Sequence, residues 1–186
     1  PKYGGQGMPK TVSAFFDEML SSASLSFKLY SELSIGAYNC ISHHATDEIK
    51  EKYLPKMVEG KWSGTMCLTD PVCGTDLGLL KTKAIAQSDG TFKLSGQKIF
   101  ITSGDQDLTE NILHLVIARV ADSPAGTKGI SLFLVPKFVV NEDGSIGARN
   151  GVSTGSIESK MGIKGSATCV LNFDAATGYM IGSKNK

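Results

Sequence analysis

From about Thr11 to Asn39 the apolar residues Val12, Phe15, Phe16, Met19, Leu20, Ala23, Phe27, Tyr30 and Leu33 recur every three or four positions. That period places them on one face of a helix, which is expected to face a core. Gly36 is the position where the pattern should break or end. A second helix is predicted from Thr46, whose hydroxyl can cap it, with Asp47 and Glu48 suiting its positive end. Ile49, Tyr53 and Met57 continue a buried face, Pro55 is expected to break or kink the helix, and Gly60 to close it.

After Trp62 the period shortens. "SGTMCLT", "KTKAIAQ", "TFKLSGQKIFITS", "NILHLVIARV", "GISLFLVPKF" and "TCVLNFD" are runs rich in Val, Ile, Phe, Leu and Thr. Turn signals separate them, among them Asp89-Gly90, Ser95-Gly96, Gly104 and Asp143-Gly144. Asp89-Gly90, between Ala86 and Phe92, is a hairpin signal. The expected fold class is α+β: a short helical N-terminal segment, residues 1–61, followed by a small antiparallel β-barrel or sandwich, residues 62–186.

Composition narrows the function classes. The chain has 186 residues, 41% hydrophobic and 20% charged, with a net charge of +1. That charge supplies no field for nucleic acid or an anionic membrane. No run approaches the roughly 20 apolar residues of a membrane span, and no signal peptide opens the chain. Cys40, Cys67, Cys73 and Cys169 are scattered, and with only His43, His44 and His114 no zinc-type spacing arises. Thiols in a reducing compartment are expected, with no metal site. The ends, "PKYGGQGMP" and "GYMIGSKNK", read as those of an excised piece.

Three stretches could carry chemistry. "MCLTDPVCGTDLG" reads as a strand ending at Thr69, a turn forced by Asp70-Pro71, and a flexible Gly74 followed by the exposed oxygens of Thr75 and Asp76. Such a turn can present backbone N–H groups to an anion, or can be a turn and nothing more. In "GQKIFITSG" a strand would place Phe100 and Thr102 on one face, suited either to a flat heterocycle or to ordinary packing. In "ESKMGIKGSATCVLNFD" the small residues Gly162, Gly165 and Ser166 lead into a strand, and Lys160 and Lys164 are phosphate contacts or solvated charges.

Taken in order, these segments resemble the acyl-CoA dehydrogenase family. "LTDPVCGTD" is similar to the family's Thr-Glu-Pro and Gly-Ser-Asp segment, "FIT" to its Trp-Ile-Thr strand, and "KMGIKGSATCVLNFD" to its lysine-methionine-glycine segment. "KEKYLPKMVEGKW" resembles the lead into the family's middle domain. The resemblance implies a flavoenzyme whose FAD meets Met66, Leu68, Thr69, Gly74, Thr75, Phe100, Ile101 and Thr102, with Thr75 in place of the usual Ser and Phe100 in place of Trp. It implies an acyl-CoA substrate near Thr75 and Ser166, with Lys164 a lesser contact.

The implied reaction is oxidation of the thioester between its α and β carbons, by α-proton abstraction and hydride transfer to flavin. Electrons then leave to a separate acceptor, and the intact protein is expected to be a homo-oligomer of the bacterial cytoplasm or the mitochondrial matrix, the former favoured. The family's C-terminal helical bundle, with its catalytic Glu, has no counterpart here. No residue is assigned as base, Glu158 being read as a surface or structural carboxylate. The 186 residues alone are expected to hold flavin weakly and to lack turnover. Three other readings stay open: an acyl-CoA oxidase, an alkylation-response flavoprotein, and a non-catalytic β-module binding a phosphorylated ligand.

Overall fold

The structure, a computed structural model, describes residues 2–185. Two helices lead the chain, α1 (Lys10–His44) and α2 (Asp47–Val58). α2 forms for the reasons read from sequence. The Thr46 hydroxyl accepts from the Ile49 N–H at 3.4 Å, and Asp47 and Glu48 occupy the first turn. Its far end is a Schellman turn: Gly60, at φ +72, donates to the Met57 carbonyl at 3.1 Å and Lys61 donates to Lys56 at 3.0 Å. Pro55, expected to break or kink this helix, lies inside it without ending it. It removes only the bond its own N–H would make, and the Glu59 N–H still bonds the Pro55 carbonyl at 3.0 Å.

α1 departs further from expectation. It spans 35 residues, passes through Gly36 without ending, and is interrupted at Ser24, whose φ of −164° and ψ of 100° are not helical. The predicted core stripe is largely in solvent: Phe15, Phe16, Met19 and Phe27 are each more than half exposed. Burial is confined to Ala37 and Ile41 near the C-terminal end. Helical periodicity reports that one face is apolar, and no described element packs on that face before Ser24.

Nine strands follow among the described residues. They are β1 (Trp62–Cys67), β2 (Lys83–Ala86), β3 (Phe92–Thr102), β4 (Asn111–Val120), β5 (Ile130–Pro136), β6 (Phe138–Val140), β7 (Ile146–Arg149), β8 (Val152–Ile157) and β9 (Thr168–Ile181). The order β4–β2–β3–β9–β5 closes through a β4–β5 pairing, with β1 added to β4 and β8 to β9. The ring is a barrel. It is mostly antiparallel, as expected, with β4 pairing in parallel with both β1 and β2. The β2–β3 hairpin turns at Asp89-Gly90 as predicted, with Gly90 at φ +82.

β4 explains the fold's economy. Leu113 and Leu115 point outward to the helices, joining Trp62, Tyr53, Leu54 and Ile41, whereas Val116 and Ala118 point into the barrel with Phe133, Leu171 and Phe173. Both faces of the strand are covered, which is why it reads as an unbroken apolar run.

α1 lies against β1 where Gly64 removes a side chain: an added Cβ would fall on Ala37 Cβ. The Gly64 N–H also donates to Ser34 Oγ at 3.1 Å. Replacing Gly64 by Val should cost about 1–3 kcal/mol and free α1 from the barrel. Faster proteolysis within α1 and a lower urea midpoint would show it; an unchanged midpoint would count against this packing. All four cysteines are free, and Cys67, Cys73 and Cys169 are buried. Among the described residues no helix is long and apolar enough to cross a membrane.

Candidate functional site

The first motif begins on β1. Its alternation puts Thr65 and Cys67 inside the barrel and leaves Met66 more than a third exposed. Leu68 and Thr69 are half-buried, and the chain then turns through Pro71-Val72. Asp70 and Cys73 bracket this turn with reciprocal backbone bonds of 3.1 Å. Gly74, Thr75 and Asp76 follow on the surface, and Asp76 caps the short turn Leu77–Leu79 by accepting from the Gly78 N–H at 3.0 Å. Beyond it the Arg119 guanidinium anchors the stretch, donating to the carbonyls of Gly78 at 2.8 Å and Leu80 at 3.0 Å.

Within this turn the N–H groups of Gly74, Thr75 and Asp76 donate to no acceptor among the described residues. A Cβ at Gly74 would meet only Thr69 Cγ2, at 3.9 Å. Internal packing therefore does not demand glycine there, and the open side is the outer one. Exposed, unpaired donors around a small residue are what an anion-binding backbone requires.

The second motif lies at the end of β3. The register of β3 against β9 slips between Lys98 and Ile101, a bulge in which Phe100 has φ +59. For an aromatic residue this is an uncommon backbone state, and the ring it re-aims is 60% exposed. Simple alternation from buried Lys98 would turn Phe100 inward; the bulge breaks that period, so Ile101 is buried instead and Phe100 is exposed. The exposure of Phe100 removes the ordinary-packing reading of its ring, which is not in the core.

The third motif is joined to the second. Thr102 stands opposite Thr168, and the Ser103 N–H donates to the Ala167 carbonyl at 2.7 Å. Ser166 is buried, and its Oγ has no partner among the described residues. Tyr30 of α1 locks the loop from the other side, donating to the Gly165 carbonyl at 3.3 Å and accepting from the Ala167 N–H at 3.0 Å. Lys160 is a clamp rather than a free charge, with Nζ at 2.6 Å from the Ser166 carbonyl and 2.9 Å from Thr168 Oγ1. Lys164 is exposed.

The three motifs thus form one continuous surface, with the Ile99 N–H bonding the Thr69 carbonyl at 2.9 Å as the link between the first two. It is open rather than pocketed. A cavity of about 570 Å³ runs between Phe27, Ser34 and Tyr38 of α1 and Trp62, Leu108 and Thr109, and none of the eight predicted flavin-facing residues lines it. A second cleft of about 410 Å³ shares Phe27 and Tyr30 and reaches Gly165 and Ala167, so the groove adjoins the surface at the third motif.

Comparison with known proteins settles the relationship. Residues 65–176 match the acyl-CoA dehydrogenase middle domain, and residues 1–61 match the acyl-CoA dehydrogenase N-terminal domain. The chain belongs to the acyl-CoA dehydrogenase family. A relative from Ruegeria pomeroyi, 3-methylmercaptopropionyl-CoA dehydrogenase, is 46% identical over 99% of this chain, which spans 31% of that relative's length. Butyryl-CoA dehydrogenase from Megasphaera elsdenii superposes with a TM-score of 0.80 at 31% identity, covering 100% of this chain and 46% of its own. An acyl-CoA dehydrogenase from Bacillus anthracis, complexed with FAD, gives a TM-score of 0.79 at 29% identity, covering 100% of this chain and 29% of its own.

Sequence reading missed two residues that hold this acyl-CoA dehydrogenase surface together, Asp70 and Lys98. Lys98 had a signal. Strand alternation from buried Leu94 carries through Gly96 to position 98, and a lysine on an inward face calls for a buried partner.

Proposed function

We propose that this chain supplies the flavin-facing wall of an FAD-dependent acyl-CoA dehydrogenase, with the domain boundary at Lys61–Trp62. The observation that carries the reading is the union of the three motifs into one surface bearing unpaired backbone donors and an exposed aromatic ring. The residues fit the cofactor. The N–H groups of Gly74, Thr75 and Asp76 and the Thr75 hydroxyl would meet phosphate oxygens, Phe100 offers a flat apolar face, and the hydroxyls of Thr69 and Thr102 can meet polar edges of a ring. Met66 and Leu68 supply apolar contact, and buried Ile101 holds the strand between Phe100 and Thr102.

When bound, FAD supplies the hydride-accepting chemistry by which an acyl-CoA becomes the 2,3-enoyl-CoA. This chain's residues bind and orient. The acyl-CoA would approach beside exposed Thr75, while Ser166, whose hydroxyl is buried and unsatisfied, lies beneath the third-motif end of the surface. We assign no proton-abstracting base among these 186 residues; electrons pass to a separate acceptor.

Side-chain hydrogen bonds contribute about 0.5–1.5 kcal/mol each, so the surface alone should hold FAD weakly. The test is titration of FAD into this chain and into its full-length parent, followed by flavin fluorescence. The parent should bind stoichiometrically, and Thr102→Val and Thr75→Val should each weaken binding about threefold to tenfold. A full-length parent that ignores FAD would sink the proposal.

A further inference from the structure

The first and second motifs are fastened to each other through the barrel interior. Lys98 is fully buried, and its Nζ donates to the Leu68 carbonyl at 3.0 Å and to Asp70 Oδ1 at 2.5 Å. One residue along, the Ile99 N–H holds the Thr69 carbonyl. Successive carbonyls of the first motif are therefore fixed by successive residues of β3.

Asp70 is the hub. At 2% exposure it accepts, besides Lys98, the Lys81 N–H at 2.7 Å, the Thr82 N–H at 3.0 Å and the Thr82 hydroxyl at 2.9 Å. Thr82 is in turn wedged against Gly96, where an added Cβ would come within 2.9 Å of Thr82 Cα at a φ of +151. Gly96, Lys98, Thr82 and Asp70 thus form one locked unit, and β3 bulges at Phe100 just beyond it.

Burial works against both charges. Around Asp70 the Lys98 ammonium and the three other donors overcome it and hold the carboxyl below the usual carboxylate range. An apolar pair of similar volume would fill the same space, but it would not specify which carbonyl of the first motif meets which residue of the second.

We propose that the Asp70–Lys98 pair is a positioning device: it sets the offset between Thr69–Thr75 and Phe100–Thr102, and so the shape of the flavin-facing surface, without touching the cofactor. This rests on the flavin reading above. Nothing in the pair is offered to solvent, so its influence must pass through the Leu68 and Thr69 carbonyls and the turn that Asp70 closes.

The test uses the full-length protein with Asp70→Leu and Lys98→Met combined, which removes both charges together and leaves neither unpaired. Three quantities are measured: thermal unfolding of the apoprotein, the Kd for FAD by fluorescence quenching, and the visible circular dichroism of bound flavin. The expected result is a folded apoprotein whose FAD affinity falls at least about tenfold and whose bound flavin gives an altered dichroic band, because several contacts of about 1 kcal/mol each are misaligned.

A folded double variant with the wild-type Kd and dichroism would overturn the proposal. Should the double variant not fold, Thr82→Val removes one donor to Asp70 at nearly constant shape. It is expected to raise the Kd about threefold, and an unchanged Kd there overturns the proposal equally. Absence of FAD uptake by the wild-type protein would overturn the flavin reading and this one with it, whereas equal uptake by wild type and variants overturns this one alone.

Discussion

Lowering the pH from 6.5 towards 3 should destabilise the fold by on the order of 4 kcal/mol through one histidine, and His114→Asn should remove most of that dependence. His114 points into the barrel from β4 and is 1% exposed. Its Nδ1 lies 2.8 Å from Thr65 Oγ1, its ring packs edge-on against Phe173, and Nε2 has no partner among the described residues. Burial pushes its pKa down from 6.5 to about 3. Between those values the unfolded chain binds a proton that the folded chain refuses. Stability is therefore complete above pH 6.5 and is lost as the pH falls, at about 1.4 kcal/mol per unit. Urea unfolding at several pH values would give the slope for each protein. His114→Asn costs packing at every pH, so the comparison is of slopes, and an equal slope in the variant would place the acid sensitivity elsewhere.

Trp62→Ala should cost about 3–5 kcal/mol. Trp62 opens β1 directly after the Schellman turn of α2 and is 2% exposed. Its ring packs against Tyr53 of α2, with centroids 6.0 Å apart, and belongs to the cluster that includes Leu54, Leu113 and Leu134. Trp62 is among the largest fully enclosed side chains of that cluster, so truncation leaves a cavity. Its Nε1 makes no hydrogen bond among the described residues, and Trp62→Phe should therefore be far milder. Denaturant midpoints read by far-ultraviolet circular dichroism distinguish the two. A loss below about 1 kcal/mol for the alanine variant would mean that the helices do not depend on this contact.

Much of the fold was legible because local chemistry and tertiary structure agree. Thr46 and Gly60 bound α2, Asp89-Gly90 turns the β2–β3 hairpin, and the β4 run is apolar because both its faces are buried. β8 went unseen since "VSTGSI" pairs on one side only and is mostly exposed, leaving no alternation to detect. β9 was foreseen for half its length; its second half holds Gly178, which admits Leu94 at a point where a Cβ would collide. The apolar stripe of α1 misled for a different reason. Periodicity says which residues share a face and does not say what that face meets.

The candidate surface was legible in its residues and not in its mechanics. Thr69, Gly74, Thr75, Phe100 and Thr102 were named from motif order, yet the bulge that exposes Phe100 is a register slip invisible to a period of two. Asp70 read as a turn-former beside Pro71, and only its four donors show it as the centre of a network.

The pairing of β3 with β9 has a consequence in time. Phe92 meets Gly178, and Thr102 meets Thr168, so the strand that carries Phe100 waits for the last strand of the barrel. As the chain emerges from a ribosome, α2, β1 and the β2–β3 hairpin are complete long before β9 has been synthesised. Contacts so distant in sequence form late and slowly. The stretch from Phe100 to Thr102 therefore gains its final register only when residues 168–181 arrive, whereas the Asp70–Lys98 contact that ties β3 to the first motif has both its partners earlier.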